Sequence, residues 1–304
     1  MKNVWKLNIK TEGINKHDQD GLLKLWKKEK IIGIKWDDPF FIIGIDENMQ
    51  DAKEIKNYVW SSIKQTGKSA QGFTIATNII IDKMDIGDYI WTISEGLYYI
   101  AKVLTETKYR LSDQDYTDHN LGFYRNVEYS KKFFHESEVP GKIVSGFTER
   151  NSSQHIADQN NKIFDYTEAL FLGKEISKIN LEDWTIFSSA KEIEELVCLY
   201  LQVKKNLYIY ASTNKKSTTE IKFELVDKNG NLYGVQIKNK NESINGNAYQ
   251  EISKTMKIFL FTTSDNVIIE NNINLIHITV NDITNFIKNY KHLLPSRIKK
   301  WLFK

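Results

Sequence analysis

Apolar and polar positions alternate with period two over 4–9 (Val-Trp-Lys-Leu-Asn-Ile), which predicts a strand. Over 17–30 the pattern changes to a helical stripe of Leu22, Leu23, Leu25 and Trp26 with charges opposite. A strand is expected at 31–36, and an amphipathic helix at 50–65 that stops before Thr66-Gly67. The apolar run 73–81 reads as a strand, as do 89–94, 97–104, 124–129 and 142–147. Turns are expected at Ile86-Gly87-Asp88 and Glu95-Gly96. Several strands at short spacing with few helices predict a small barrel or sandwich for residues 1–150.

Residues 151–162 are polar and lack periodicity, so 151–183 is expected to be a linker or connecting helix. The remaining segment, 184–304, opens with a helix over 188–205, capped by Ser188 or Ser189, with Ile193, Leu196, Val197, Tyr200 and Leu201 on its apolar face. Strands follow at 207–212, 221–227 and 232–239, then a helix near 247–256, strands at 257–264 and 275–280, and a helix from Asp282. The order α-β-β-β-α-β-β-α makes this an α/β domain with a mixed central sheet.

The turn Asp227-Lys228-Asn229-Gly230-Asn231 decides which side chains share a face. A two-residue type I′ loop would put Glu224 opposite Val235, away from Gln236 and Lys238. A three-residue loop with left-handed Gly230 pairs Asp227 with Asn231 and Glu224 with Gly234, which gathers Glu224, Gln236 and Lys238 on one face. Phe223, Leu225, Val235 and Ile237 then form the opposite, apolar face, so the hydrophobic pattern favours the second register.

Composition narrows the classes. The chain has 304 residues, 12% of them aromatic, and a net charge of +3, which excludes a disordered protein. One cysteine, Cys198, excludes a disulfide scaffold and a multi-thiolate zinc site. No apolar run is long enough to span a bilayer, and MKNVWKLNIKTEG lacks the apolar core of a signal peptide. A cytoplasmic location is therefore expected. From Asp282 onward six cations face one acid, a segment that suits either a solvated helix face or a phosphate backbone. Thr66-Gly67-Lys68-Ser69 lacks the first glycine of a phosphate loop, so no nucleotide cofactor is expected. The run Asp113, Asp115, Asp118, His119 reads as a solvated loop.

An acid, a strand, a turn and Gln236-Ile237-Lys238, behind a helix that carries Glu194 and Glu195, resembles the PD-(D/E)xK nuclease superfamily, in its Mrr-like QxK variant. The resemblance implies a restriction-endonuclease-like domain that hydrolyses phosphodiesters with Mg²⁺, Mn²⁺ being the alternative. It makes Glu224 the first metal ligand, Gln236 the second, Lys238 the lysine that positions or deprotonates water, and Glu195, or Glu194 one position back, the helix acid. Glu220 shares the parity of Glu224 and is the alternative acid. Gln250 and Lys254 fall on the following helix. The usual Pro-Asp is absent.

In the first half, Gly33-Ile34-Lys35-Trp36, Gly87-Asp88-Tyr89-Ile90-Trp91 and Tyr98-Tyr99-Ile100-Ala101-Lys102-Val103 follow one another as in the EVE-like branch of PUA-like β-barrels. This resemblance implies an α+β barrel that holds a flipped, modified base in an aromatic pocket, with Trp36, Trp91, Tyr89, Phe123 and Tyr124 as its candidates. Together the two resemblances imply modification-dependent (type IV-like) restriction. The expected partner is double-stranded DNA carrying a modified base, a modified cytosine first. A homodimer is expected, since cutting both strands needs two nuclease sites. The alternative is a nucleic-acid-binding protein, of modified DNA or RNA, whose nuclease-like domain is inactive.

Overall fold

The computed structural model describes residues 2–9, 19–34, 51–67, 69, 71–109, 122–148, 153–174, 179–213, 221–239 and 242–303. Trp36, Glu220 and the 113–119 run lie outside the described residues. The protein is mixed α+β, with a curled half-barrel sheet and further mixed sheets. It divides into two units, Met1–Ser177 and Lys178–Lys304.

The first unit contains, in chain order, β1 (Val4–Leu7), α1 (Gln19–Glu29), β2 (Ile31–Ile34), α2 (Ala52–Gln65), α3 (Gln71–Thr77) and a π-helical stretch Asn78–Lys83. It continues with β3 (Tyr89–Ser94), β4 (Leu97–Val103), β5 (Lys108–Tyr109), β6 (Phe123–Tyr129), β7 (Phe134–His135), α4 (Gly141–Thr148), β8 (Ser153–His155) and α5 (Lys162–Phe171). Among the described residues eight strands form one sheet, β2-β6-β4-β3-β1-β8, with β5 on β6 and β7 on β4. Its inner face carries Trp5, Leu7, Ile90, Tyr99, Ala101 and Val127, which pack with Leu22, Trp26, Ile55, Val59 and Phe73 from the helices.

Asp88 fixes the start of β3. Its buried carboxylate accepts hydrogen bonds from the Trp5 indole (2.7 Å) and from the backbone N–H groups of Asn3 and Asp85 (3.0 Å each). Gly87 takes φ +95°, a left-handed value that glycine adopts without a Cβ penalty. Arg125, fully buried, donates to the carbonyls of Ile80, Met84 and Thr105 and so holds the end of the π-helical stretch.

Three expectations are corrected here. Residues 73–81 are helical, not a strand: a short β-branched run fits a buried helix as well as a strand, and Phe73, Ile79, Ile80 and Ile81 are all buried. Residues 142–147 belong to α4, which Pro140 precedes and which turns buried Ile143, Val144 and Gly146 inward. Much of the expected linker belongs to the first unit: β8 pairs antiparallel with β1, and α5 packs on β1, β3 and β4.

The second unit contains α6 (Trp184–Phe187), α7 (Ala190–Lys205), β9 (Tyr208–Ile209), β10 (Phe223–Val226), β11 (Leu232–Lys238) and β12 (Ile244–Asn245). Then come α8 (Gln250–Ser253), β13 (Lys257–Thr262), β14 (Val267–Ile268), β15 (Leu275–Ile278), α9 (Val280–Asn289) and α10 (Ser296–Leu302). The sheet order is β15-β13-β11-β10-β9. β11, β13 and β15 are parallel, while β10 runs antiparallel to both neighbours. Ser189 caps α7 in a reciprocal box with Glu192, which satisfies two otherwise orphaned N–H groups.

The hairpin takes the three-residue register. Gly230 has φ +87°, Asp227 N–H donates to Asn231 O, and Glu224 stands opposite Gly234. One face of the sheet, with Phe261, meets Trp184 of α6, whose indole is bonded to Thr284 of α9. On the other face Ile258, Leu260 and Leu275 pack with Ile244 and Tyr249 from the 244–256 segment.

Candidate functional site

In the second unit the register sets distances as well as faces. Glu224, Gln236 and Lys238 do share a face, but the position opposite Glu224 is Gly234, four residues before Lys238. At about 3.3 Å per residue, Glu224 and Lys238 are separated by about 13 Å along the strands. Lys222 lies just before β10: its N–H donates to Val235 O, the residue that pairs with Phe223. The Lys222 ammonium is 3.0 Å from the Glu194 carboxylate of α7. Glu194 is thus the helix acid that reaches this strand. Burial raises the pKa of Glu195, and the charges beside it are Glu192 and Arg297.

Gln236 is 3% exposed. Its side chain bonds to Tyr249, yet its carbonyl oxygen, Oε1, has no hydrogen-bond partner. A buried acceptor left unpaired calls for a ligand or an ion. Lys238, at the end of β11, is half-buried and lies 3.4 Å from the carboxylate of Glu242. The motif did not point to Glu242; its i+4 spacing from Lys238 was the available signal for this ion pair. Gln250 and Lys254 bond to Asn247 and Glu251 respectively and stay on the surface.

Among the described residues no three His, Cys, Asp or Glu side chains converge on one point. Mg²⁺ nevertheless binds through one or two carboxylates and keeps several waters. The unpaired Gln236 oxygen and the Glu242 carboxylate beside Lys238 have the hard-oxygen chemistry such an ion takes.

Behind this strand Cys198 is buried, and burial pushes its thiol up to about 12, with Glu194 and Glu195 adding to the shift. A thiol so placed is inert. The native chain is expected to leave a thiol reagent such as DTNB unreacted at pH 8 and to consume one equivalent in guanidinium. Fast labelling of the native chain would contradict this placement.

The first unit separates the aromatic candidates. Tyr89 and Trp91 point to the outer face, under α5. The Tyr89 hydroxyl donates to Glu168 (3.2 Å), its ring lies 5.1 Å from Phe164, and burial raises its pKa. The Trp91 indole donates to Thr167 (3.1 Å) and its ring packs against Phe134. Phe123 is inside, against Phe73 and Tyr109, and Tyr124 is half-buried against the same core cluster. The four described aromatics therefore do not line one pocket.

Polar groups that sequence reasoning missed occupy the inner face instead. Thr92, Ser94 and Ser153 are buried there with hydroxyl oxygens that have no hydrogen-bond partner. Ser153 stands opposite Leu7, Thr92 opposite Tyr99, and Ser94 opposite Leu97. No described helix is long and apolar enough to cross a membrane. No family model, no curated protein and no solved structure matches the chain.

Proposed function

We propose that this chain is a modification-dependent DNA endonuclease of host defence. The observation that carries the reading is strand β11, which carries Gln236, with its unpaired buried oxygen, two residues before Lys238 on one face of a mixed sheet that follows a glutamate-bearing helix in the chain. In this reading Gln236 and Glu242 would hold Mg²⁺ or Mn²⁺, with waters completing the shell. Such an ion, when bound, would supply Lewis acidity toward the scissile phosphate. Lys238 holds a non-bridging phosphate oxygen and stabilises the charge that builds there. Water adds to phosphorus, the bond to the leaving oxygen breaks, and a proton passes to that oxygen. A partner copy would supply the second cut.

The first unit would receive the flipped modified base. Tyr89 and Trp91 are bonded to Glu168 and Thr167 under α5, whereas the hydroxyls of Thr92, Ser94 and Ser153, buried on the other face, have no partner. A second reading, a modified-base reader with a silent nuclease fold, is favoured by the neutral Gln236 and by the pairing of both site lysines with acids.

The test is incubation with matched DNAs, unmodified and bearing cytosine modifications, with Mg²⁺, Mn²⁺ or EDTA. Cleavage confined to one modified DNA and abolished by EDTA is the expected result. Selective binding without cleavage supports the second reading. Neither binding nor cleavage removes both, and RNA becomes the substrate to try.

A further inference from the structure

The basic C-terminal segment takes no part in the site described above. From Ile283 to Phe303 the chain carries Lys288, Lys291, Arg297, Lys299 and Lys300 and no Asp or Glu. The fold gathers these residues at the end of α9. The Tyr290 hydroxyl there lies 3.4 Å from the ammonium of Lys204, which brings the last turn of α7, with Lys205, alongside. Lys291 sits over the Phe303 ring at 4.1 Å, and Lys299 donates to the His292 carbonyl (3.4 Å). All of these partners are uncharged, so the positive charge is not compensated. Lys205, Lys288, Lys291 and Lys300 are exposed, and none of them pairs with an acid among the described residues. The neighbouring acids are engaged elsewhere. Asp282 closes the Thr279 cap at the far end of α9, and Glu192 holds Arg297 and the α7 cap. Glu182 and Asp183, in the turn that touches α9, pair with none of these lysines.

We propose that this lysine face holds the phosphate backbone of a DNA duplex, at a distance from the residues that cut. A duplex carries one negative charge per ~1.7 Å of axis, so a face with cations and no acid meets only attraction. A folded protein would bring cations of its own, and this face has no free acid to receive them. A bilayer is disfavoured by the packing, because amphipathic helices bind membranes through buried apolar area as well as charge. Here Phe286 and Ile287 of α9 and Ile298, Trp301 and Leu302 of α10 are already buried in the unit. The distance from the cut follows from the sheet. Lys238 pairs with Thr262, and Phe261, one residue earlier, pairs with Ile278, so α9 starts level with Lys238. Its 10 residues end about 15 Å away, which is about four base pairs of duplex.

The inference rests on the second unit handling DNA, as proposed above, and its test reads binding without cleavage. The full chain in EDTA is titrated with a fluorescein-labelled, unmodified duplex across a salt series and followed by anisotropy. Lys288→Gln, Lys291→Gln and Lys300→Gln are each expected to weaken binding about 5- to 10-fold at about 0.1 M salt. Each should also lower the slope of log affinity against log salt by about 0.9, and the triple variant by about 2.7. Lys254→Gln, which breaks only a surface pair with Glu251, keeps the wild-type affinity and slope. Melting midpoints check that the variants stay folded, and the three single variants decide the matter if the triple variant melts early. No duplex binding by the wild type, or a wild-type slope in the folded variants, would overturn the proposal. So would lost binding to phosphatidylcholine–phosphatidylserine vesicles with the duplex still held. Loss of duplex binding in the variants with no DNA cut under any metal keeps the backbone contact and removes the endonuclease. Metal-dependent cleavage beside unimpaired binding in the variants does the reverse.

Discussion

An Asp88→Ala variant is expected to melt about 10 °C below the wild type. The side chain is a buried carboxylate that accepts from the Trp5 indole and from two backbone N–H groups, and it joins β1 to the turn that opens β3. Hydrogen bonds to a charged group contribute about 1.5–3 kcal/mol each, and truncation also leaves buried donors without an acceptor. A loss of about 3–5 kcal/mol follows, at the upper end for single substitutions. For a unit of this size each kcal/mol moves the midpoint by about 2–4 °C. Asp88→Asn keeps one acceptor oxygen and should fall between the two. Differential scanning fluorimetry checks the order, and a midpoint within 2 °C of wild type for the alanine variant would show that water replaces the carboxylate.

The same residue shows what the sequence made legible. Gly87-Asp88 was readable as a turn, because glycine and aspartate punctuate strands, but the carboxylate's role needs β1, over eighty residues away in the chain. The alternation at 4–9 marks the strand, with Lys6 at one of its polar positions. Lys6 is in fact fully buried, since the helix α4, read from sequence as a strand, covers that side with Gly146 and Phe147. The same cover, with α5, hides Tyr89 and Trp91. One misread helix and one supposed linker therefore account for the misplaced aromatic pocket. Position 151, polar and aperiodic, carried no signal for β8, a three-residue strand specified by β1 rather than by its own pattern.

In the second unit local chemistry was decisive, so more was readable. Asn229-Gly230 and the apolar alternation around it fixed the loop and the shared face of Glu224, Gln236 and Lys238. Sharing a face is a matter of parity, whereas sharing a ligand is a matter of distance. Parity is visible in sequence; the rung occupied by Gly234, and the turn of Glu194 rather than Glu195 toward Lys222, are tertiary facts.

That distinction sets the expected outcome of the site variants. Lys238→Ala should lower metal-dependent cleavage by about 10²–10⁴-fold, the range for removing a positioned proton-transfer or charge-stabilising group. Glu224→Gln should cost less than about 10-fold, because a side chain about 13 Å along the strands from Lys238 does not share its phosphate. Glu242→Gln should raise the metal concentration needed for half-maximal cleavage and weaken Mn²⁺ binding followed by electron paramagnetic resonance. Lys238 and Glu242 are partly exposed and outside the apolar clusters, so both variants should keep the wild-type melting midpoint. Glu220→Gln, assayed in parallel, separates the two strand acids that the sequence offers. If Glu224→Gln and Lys238→Ala lose activity equally while both stay folded, the reacting phosphate must bridge two rungs of the ladder. Glu224 would then return to the site at the expense of Glu242.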